Sequence, residues 1–298
     1  LIFKTLRKEG ELMLDILVAL IPAITWGSLV FLSEKLGGGP YSQVLGTTIG
    51  ALLFSIVVYF FTTPEFTTLI FIIGFISGVF WSIGQMNQFR SIEYLGVSKT
   101  VPLSTGMQLV GTSLFGVLVF GEWDTGKKLT IGIIALVAII IGAICNSYDK
   151  SENGGEGNGK SNFTKGLLIL LLSTVGYVAY VVIIRWFEID GWTAILPQSI
   201  GMVVGAFIMS LKHKPYNKYT LRNIFTGIWW STGNLALLLS IPLVGVATSF
   251  SLSQTGIIIS TLGGIFFLGE KKTKTQMVFV IIGSILIIVG GVMLGFTK

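Results

Sequence analysis

The chain has 298 residues, of which 52% are hydrophobic and 11% charged, and its mean hydropathy is +0.83. Soluble domains carry roughly 25% charged residues, so this composition excludes an ordinary soluble enzyme and a disordered chain. The net charge of +6 comes from basic residues clustered between long apolar runs, which suits anchoring at an anionic leaflet better than nucleic-acid binding.

Residues 1–12 (LIFKTLRKEGEL) are polar and precede Met13, where an internal start is expected. A helix crosses the bilayer core in about 20 mainly apolar residues. Ten such segments follow: 14–33, 42–62, 67–89, 98–120, 128–147, 164–186, 193–211, 221–240, 246–268 and 275–296. The first has no small-residue cleavage motif and nine more spans behind it, so it reads as a retained span. A polar stretch with four glycines, Asp149–Asn162, separates five spans from five and reads as a flexible, solvated linker. The expected fold class is an all-α integral membrane protein of ten transmembrane helices, with repeats at 13–148 and 163–298.

The two halves resemble each other. Residues 78–104 (GVFWSIGQMNQFRSIEYLGVSKTVPLS) and 227–253 (GIWWSTGNLALLLSIPLVGVATSFSLS) share ten of 27 positions at an offset of 149. After one gap the match continues to Gly121-Glu122 against Gly269-Glu270. An odd number of spans per half means that the second half enters the membrane upside down relative to the first. Such five-plus-five inverted repeats build many secondary transporters, with the substrate site near the midplane between repeats.

Polar side chains inside spans need partners or a wet cavity. In the third span Gly78, Trp81, Gln85 and Gln88 fall at steps of 3, 4 and 3, on one helix face. The eighth span repeats the stripe with Gly227, Trp230 and Asn234. The fourth adds Thr105, Gln108 and Thr112, and the ninth Ser251 and Gln254. Pro22 and Trp26 come from the first span, Thr174, Tyr177 and Tyr180 from the sixth, and Gln198, after Pro197, from the seventh. Pro102 is expected to break the start of the fourth helix. Amides both donate and accept, as sugar hydroxyls do. Indole and phenol rings offer a flat apolar face to the C–H side of a pyranose. The expected substrate contacts are therefore Trp26, Trp81, Gln85, Gln88, Gln108, Tyr177, Gln198, Trp230, Asn234 and Gln254. The competing reading is interhelical hydrogen bonding and packing without a ligand. The pairs Gly46–Gly50, Gly74–Gly78 and Gly201–Gly205 read as close helix packing. Trp123, Trp186 and Trp192, at span ends, read as interfacial belt residues.

Carboxylates concentrate near span ends. Glu93 and Asp15 are the weak candidates for proton coupling. Glu122 and Glu270 are expected to favour the N-termini of the fifth and tenth helices, which follow them. Cys145 and His213 stand alone, so neither an intrachain disulfide, a zinc site nor a His-dependent nucleophile is expected. His213 reads as a solvated loop residue. No metal, cofactor, catalytic centre or nucleic-acid partner is expected. Thirteen Lys/Arg fall on one set of loops and four on the other, with three more in residues 1–12, so the charge count favours both termini outside.

Longer motifs carry a family resemblance. PAITWGS at 22–28, GGGPYSQVLGTTIGA at 37–51, GVSKTVPLSTGMQLVGTSLFGVLVFGEW at 96–123, LLSTVGYVAYVV at 171–182 and GVATSFSLSQTGIIISTLGGIFFLGEKK at 245–272 resemble bacterial glucose uptake proteins. Those proteins form part of the glucose/ribose porter family of the drug/metabolite transporter superfamily. The resemblance runs from Met13 to the C-terminus. It implies a proton-driven carrier for glucose or related monosaccharides, in the plasma membrane of a Gram-positive bacterium. The superfamily is usually drawn with both termini cytoplasmic, opposite to the charge count. The alternative function is an exporter of small metabolites, amino acids or drugs on the same fold. An intramembrane enzyme would need His, Asp or Cys clustered at one depth, and the sequence offers no such cluster.

Overall fold

The computed structural model describes residues 2–65, 67–148, 158–244, 249 and 252–297, with side chains described from Met13 onward except at Ser147, 158–161 and Ile241. Ser251 and most of the predicted linker lie outside the described residues. The helices are α1 (Ile2–Leu36), α2 (Pro40–Thr62), α3 (Thr68–Leu95), α4 (Val97–Leu118), α5 (Gly126–Ser147), α6 (Asn158–Trp186), α7 (Gly191–Ser210), α8 (Ile224–Val244), α9 (Leu252–Phe267) and α10 (Lys274–Gly295). A short helical turn, Lys218–Arg222, leads into α8, and α9 ends in a π-helical turn, Gly263–Phe267.

Among the described residues, nine helices are long and apolar enough to cross a membrane, and α9 is a shorter apolar helix. The predicted span 246–268 is thus described only from Leu252, apart from Ser249. The predicted linker also ends earlier than its composition suggests, because α6 begins at Asn158. Pro102 lies inside α4 without breaking it. Its ring forgoes only the bond to the Ser98 carbonyl, and the helix continues through it to Leu118.

Phe60, Phe61 and Leu118 stand exposed, as do Ile133, Ile134, Ile140, Ile141 and Ile144 along α5. Large apolar side chains facing outward fit a surface solvated by acyl chains. The interior is instead rich in small and polar residues. Ser77, Ser82, Ser91 and Ser173 are fully buried. Their hydroxyls donate across helix interfaces to the carbonyls of Tyr180, Met202, Gly166 and Gly84. Hydrophobic burial does little to join helices in lipid, so close backbone approach and such bonds carry the association.

The expected glycine packing is present. A methyl group at Gly50 would lie 2.0 Å from the Ile224 carbonyl oxygen, and one at Gly78 would lie 1.9 Å from that of Gln198. These contacts join α2 to α8 and α3 to α7. Further pairings correspond under exchange of the halves: α1 packs on α8 as α6 packs on α3. The pairs α2·α7, α4·α9 and α5·α10 map onto themselves under that exchange.

Helix starts are set by side chains. Thr67, Thr125 and Thr273 accept bonds from the backbone N–H groups of Ile70, Lys128 and Gln276, at 3.2, 3.3 and 3.2 Å. Threonines, not Glu122 and Glu270, therefore cap α5 and α10. Gly121 and Gly269 adopt φ of +64° and +71°, and these left-handed turns redirect the chain just before each glutamate. Glu270 reaches α4 instead, and Glu122 pairs with Arg185 of α6. His213 is exposed and stacks on Tyr41, ring centroids 3.6 Å apart.

Candidate functional site: a central cavity

A cavity of about 490 Å³ lies between the halves. Small-molecule sites commonly span roughly 300–1,000 Å³. Its wall is built from α1, α3 and α4 of the first half and α6, α8, α9 and α10 of the second. Nine of the ten predicted contact residues line it: Trp26, Trp81, Gln85, Gln88, Gln108, Tyr177, Trp230, Asn234 and Gln254. Thr105, Thr112 and Tyr180 line it too.

Along the α3 stripe, Gly78 meets α7 at Gln198, and Trp81, Gln85 and Gln88 beyond it line the cavity. The Tyr177 hydroxyl reaches the Oε1 atoms of Gln85 and Gln88, at 2.7 and 3.1 Å. Gln85 Nε2 donates to Gln88 Oε1 at 3.4 Å. This buried network holds two amides in place and turns their remaining N–H groups to other partners. Trp81 packs against Trp230, centroids 4.9 Å apart, and edge-on to Tyr177 at 6.4 Å. Trp26 Nε1 donates to the Trp230 carbonyl at 3.2 Å, which fixes α1 to α8. Gln108 Nε2 donates to Ser104 Oγ at 3.0 Å, and Gln254 Nε2 to Ser253 Oγ at 3.3 Å. The side-chain amide of Asn234 makes no hydrogen bond among the described residues, so its donor and acceptor are open to the cavity.

Gln198 is the tenth predicted contact, and it is not at the cavity. Its amide donates to Ser77 Oγ at 3.0 Å and bridges α7 to α3. Pro197 packs beside it on Gly74, so this face of α7 serves helix packing. Glu93 is exposed and Asp15 half-buried, and neither lines the cavity.

Trp123 departs from the belt role expected of it. Its Nε1 donates to Thr297 Oγ1 at 3.1 Å, and the ring lines the cavity mouth. Glu122, Arg185 and Thr297 complete that mouth, at the ends of α4, α6 and α10. Among the described lining residues, Glu122 and Arg185 are the charged pair, and they neutralise each other. Sequence reasoning assigned Trp123 and Glu122 to helix ends, where charges and indoles have ordinary reasons to be, and did not single out Arg185 or Thr297. Only a match of partners across distant helices could have separated them.

The cavity is closed at its other end. A plug of Val30, Val44, Leu45, Met86, Phe89, Val97 and Val101 fills the space between α1, α2, α3 and α4. Asn223 Nδ2 donates to the Gly37 carbonyl at 3.1 Å, and Asn217 Nδ2 to Ser42 Oγ at 3.1 Å, across the same end.

A family model described as "Sugar transport protein" matches residues 17–297. The chain belongs to this family. It is 59% identical to the probable glucose uptake protein GlcU of Priestia megaterium over 285 residues, covering 96% of this chain and 100% of that one. It is also 59% identical to the glucose uptake protein GlcU of Bacillus subtilis, covering 96% and 99%. A putative sugar uptake protein of Bacillus cereus is 57% identical, covering 96% and 100%. A crystal structure of 14% identity shares the fold, with a TM-score of 0.59 over 94% of this chain and 95% of that one. With nine helices long and apolar enough to cross a membrane among the described residues, and with bacterial relatives, this family member is a multi-pass protein of the bacterial plasma membrane.

Proposed function

We propose that the chain is a secondary carrier that takes up glucose or related monosaccharides by proton symport and alternating access. Its ten helices would form two oppositely inserted five-helix repeats, and the central cavity would hold one sugar at a time. The observation that carries the reading is the cavity wall. Both halves supply a tryptophan and an amide from equivalent places, Trp81 with Gln85 and Trp230 with Asn234. Indole faces and amide groups suit a neutral polyol, and among the described lining residues the charges of Glu122 and Arg185 cancel, which favours neither an anion nor a cation.

Two further observations support it. Several helix pairings correspond when the halves are exchanged, α1·α8 to α3·α6 and α2·α8 to α3·α7 among them, as expected of a five-plus-five repeat. One end of the cavity is plugged while the other reaches the helix ends, the arrangement expected of one state of an alternating carrier. The relatives named as glucose uptake proteins, matched over nearly their full length, give glucose first place among sugars.

The test is accumulation of labelled glucose by purified protein in liposomes. An inwardly directed proton gradient drives accumulation above equilibrium if the carrier is a proton symporter. Uptake that only equilibrates, with and without the gradient, would remove proton symport from the account.

A further inference from the structure

Glu122 and Glu270 sit in the same local turn of the two repeats. The Glu122 N–H donates to the Gly116 carbonyl at 3.0 Å, and the Glu270 N–H to that of Gly264 at 3.2 Å. Each follows a glycine of positive φ. Their carboxylates nevertheless have different partners. Glu270 Oε1 accepts from Val97 N at 2.5 Å and from Ser98 N at 3.3 Å. Ser98 Oγ donates to its Oε2, and Lys272 Nζ stands 3.9 Å from that atom. The contact crosses the halves at the plugged end of the cavity, because α4 belongs to the first half and Glu270 to the second. Glu122 instead pairs with the Arg185 guanidinium beside the open mouth.

The backbone turns are alike, and the partners differ: Lys272 follows Glu270 where Asp124 follows Glu122, and only Glu270 is seen to reach across to a helix start of the other half among the described residues. The approach at the plugged end is also built for closeness. A methyl at Gly96 would lie 3.0 Å from Glu270 Oε1, and one at Gly264 would lie 2.9 Å from Ser98 N. An anion on the free N–H groups of a helix start is favoured by charge and by hydrogen bonding together.

We infer that the Glu270 carboxylate on the α4 N-terminus is a releasable latch that holds this end of the cavity shut, and that Arg185 keeps its counterpart Glu122 engaged while the mouth is open. Glu270 is a positioning residue: it touches no lining atom and acts through α4. The inference rests on the alternating-access reading.

The test uses two cysteine reporters in the Cys145→Ser background, each labelled with a hydrophilic maleimide in detergent micelles. Ser113→Cys reports the mouth, which it lines, and Thr100→Cys reports the plugged end, where Thr100 is fully buried. Glu270→Gln keeps the shape and removes the charge. It should speed labelling at position 100 and slow it at position 113, each by about tenfold, as expected when one charge-assisted contact is lost from a two-state balance. A merely structural role would loosen the fold and speed both. Unchanged labelling at both positions, or faster labelling at both, overturns the latch. Should Glu270→Gln fail to fold, Ser98→Ala removes one donor and must shift the two rates in the same opposed directions; no opposed shift overturns it equally. Saturating glucose added to the otherwise unaltered reporters separates the two readings. Opposed changes with glucose but none with Glu270→Gln remove only the latch, whereas no response to glucose removes alternating access itself.

Discussion

Gln85 and Asn234 are equivalent in the repeat, yet only one of them is tied down. Gln85 is held by Tyr177 and Gln88, while the Asn234 amide faces the cavity without a partner among the described residues. Both should bond a sugar hydroxyl. Gln85→Ala and Asn234→Ala should each weaken glucose binding by about 1–3 kcal/mol, the cost of a buried bond left unmade. Calorimetric titration of the purified variants measures this, and unchanged affinity in both would return the amides to helix packing. Tyr177→Phe keeps the ring against Trp81 and loses the hydroxyl that orients two amides. A loss of about 0.5–1.5 kcal/mol in glucose binding is expected by the same titration. At this scale much of the cavity lining was legible in the sequence, because a Trp–amide stripe at steps of 3 and 4 keeps its members on one helix face. Gln198 was misread for the complementary reason. A lone amide on a helix says nothing of the helix's rotation, and α7 turns it onto Ser77.

Helices here are joined by glycines that let backbones touch. Gly50→Ala and Gly78→Ala would each push a methyl to about 2 Å from a carbonyl oxygen on the facing helix. Each should cost about 1–3 kcal/mol, visible as a lower thermal transition of the detergent-solubilised protein. Gly39→Ala, where a methyl would meet nothing within 4 Å at a negative φ, should leave that transition in place. An unchanged transition in Gly78→Ala would mean that α3 and α7 are less tightly apposed than described. Element positions were largely legible, since apolar runs of this length have few alternatives. The caps were less so. Glu122 and Glu270 stand in sequence just ahead of helices that threonines cap, and the donors Glu270 finds are backbone N–H groups more than 170 residues away. No side-chain pattern marks a backbone donor, so a contact of this kind is invisible until the chain is folded.

At the largest scale, the likeness of the two halves was readable from ten identities in 27 positions, and some helix pairings correspond between the halves. Which end of the cavity is open was not readable, because it depends on how the halves meet, and sequence does not show that. If the carrier is proton-coupled, an uncoupler should abolish glucose accumulation in liposomes while leaving exchange of labelled for unlabelled glucose intact. Loss of both together would place the effect on the protein and not on the driving force. The claim beneath all of these is that a sugar occupies the hollow between the halves. A structure determined experimentally in saturating glucose tests it most directly. The sugar should lie between the indoles of Trp81 and Trp230, within hydrogen-bonding distance of Gln85 or Asn234. A cavity left empty under those conditions, or a sugar bound on the outer surface, would contradict it.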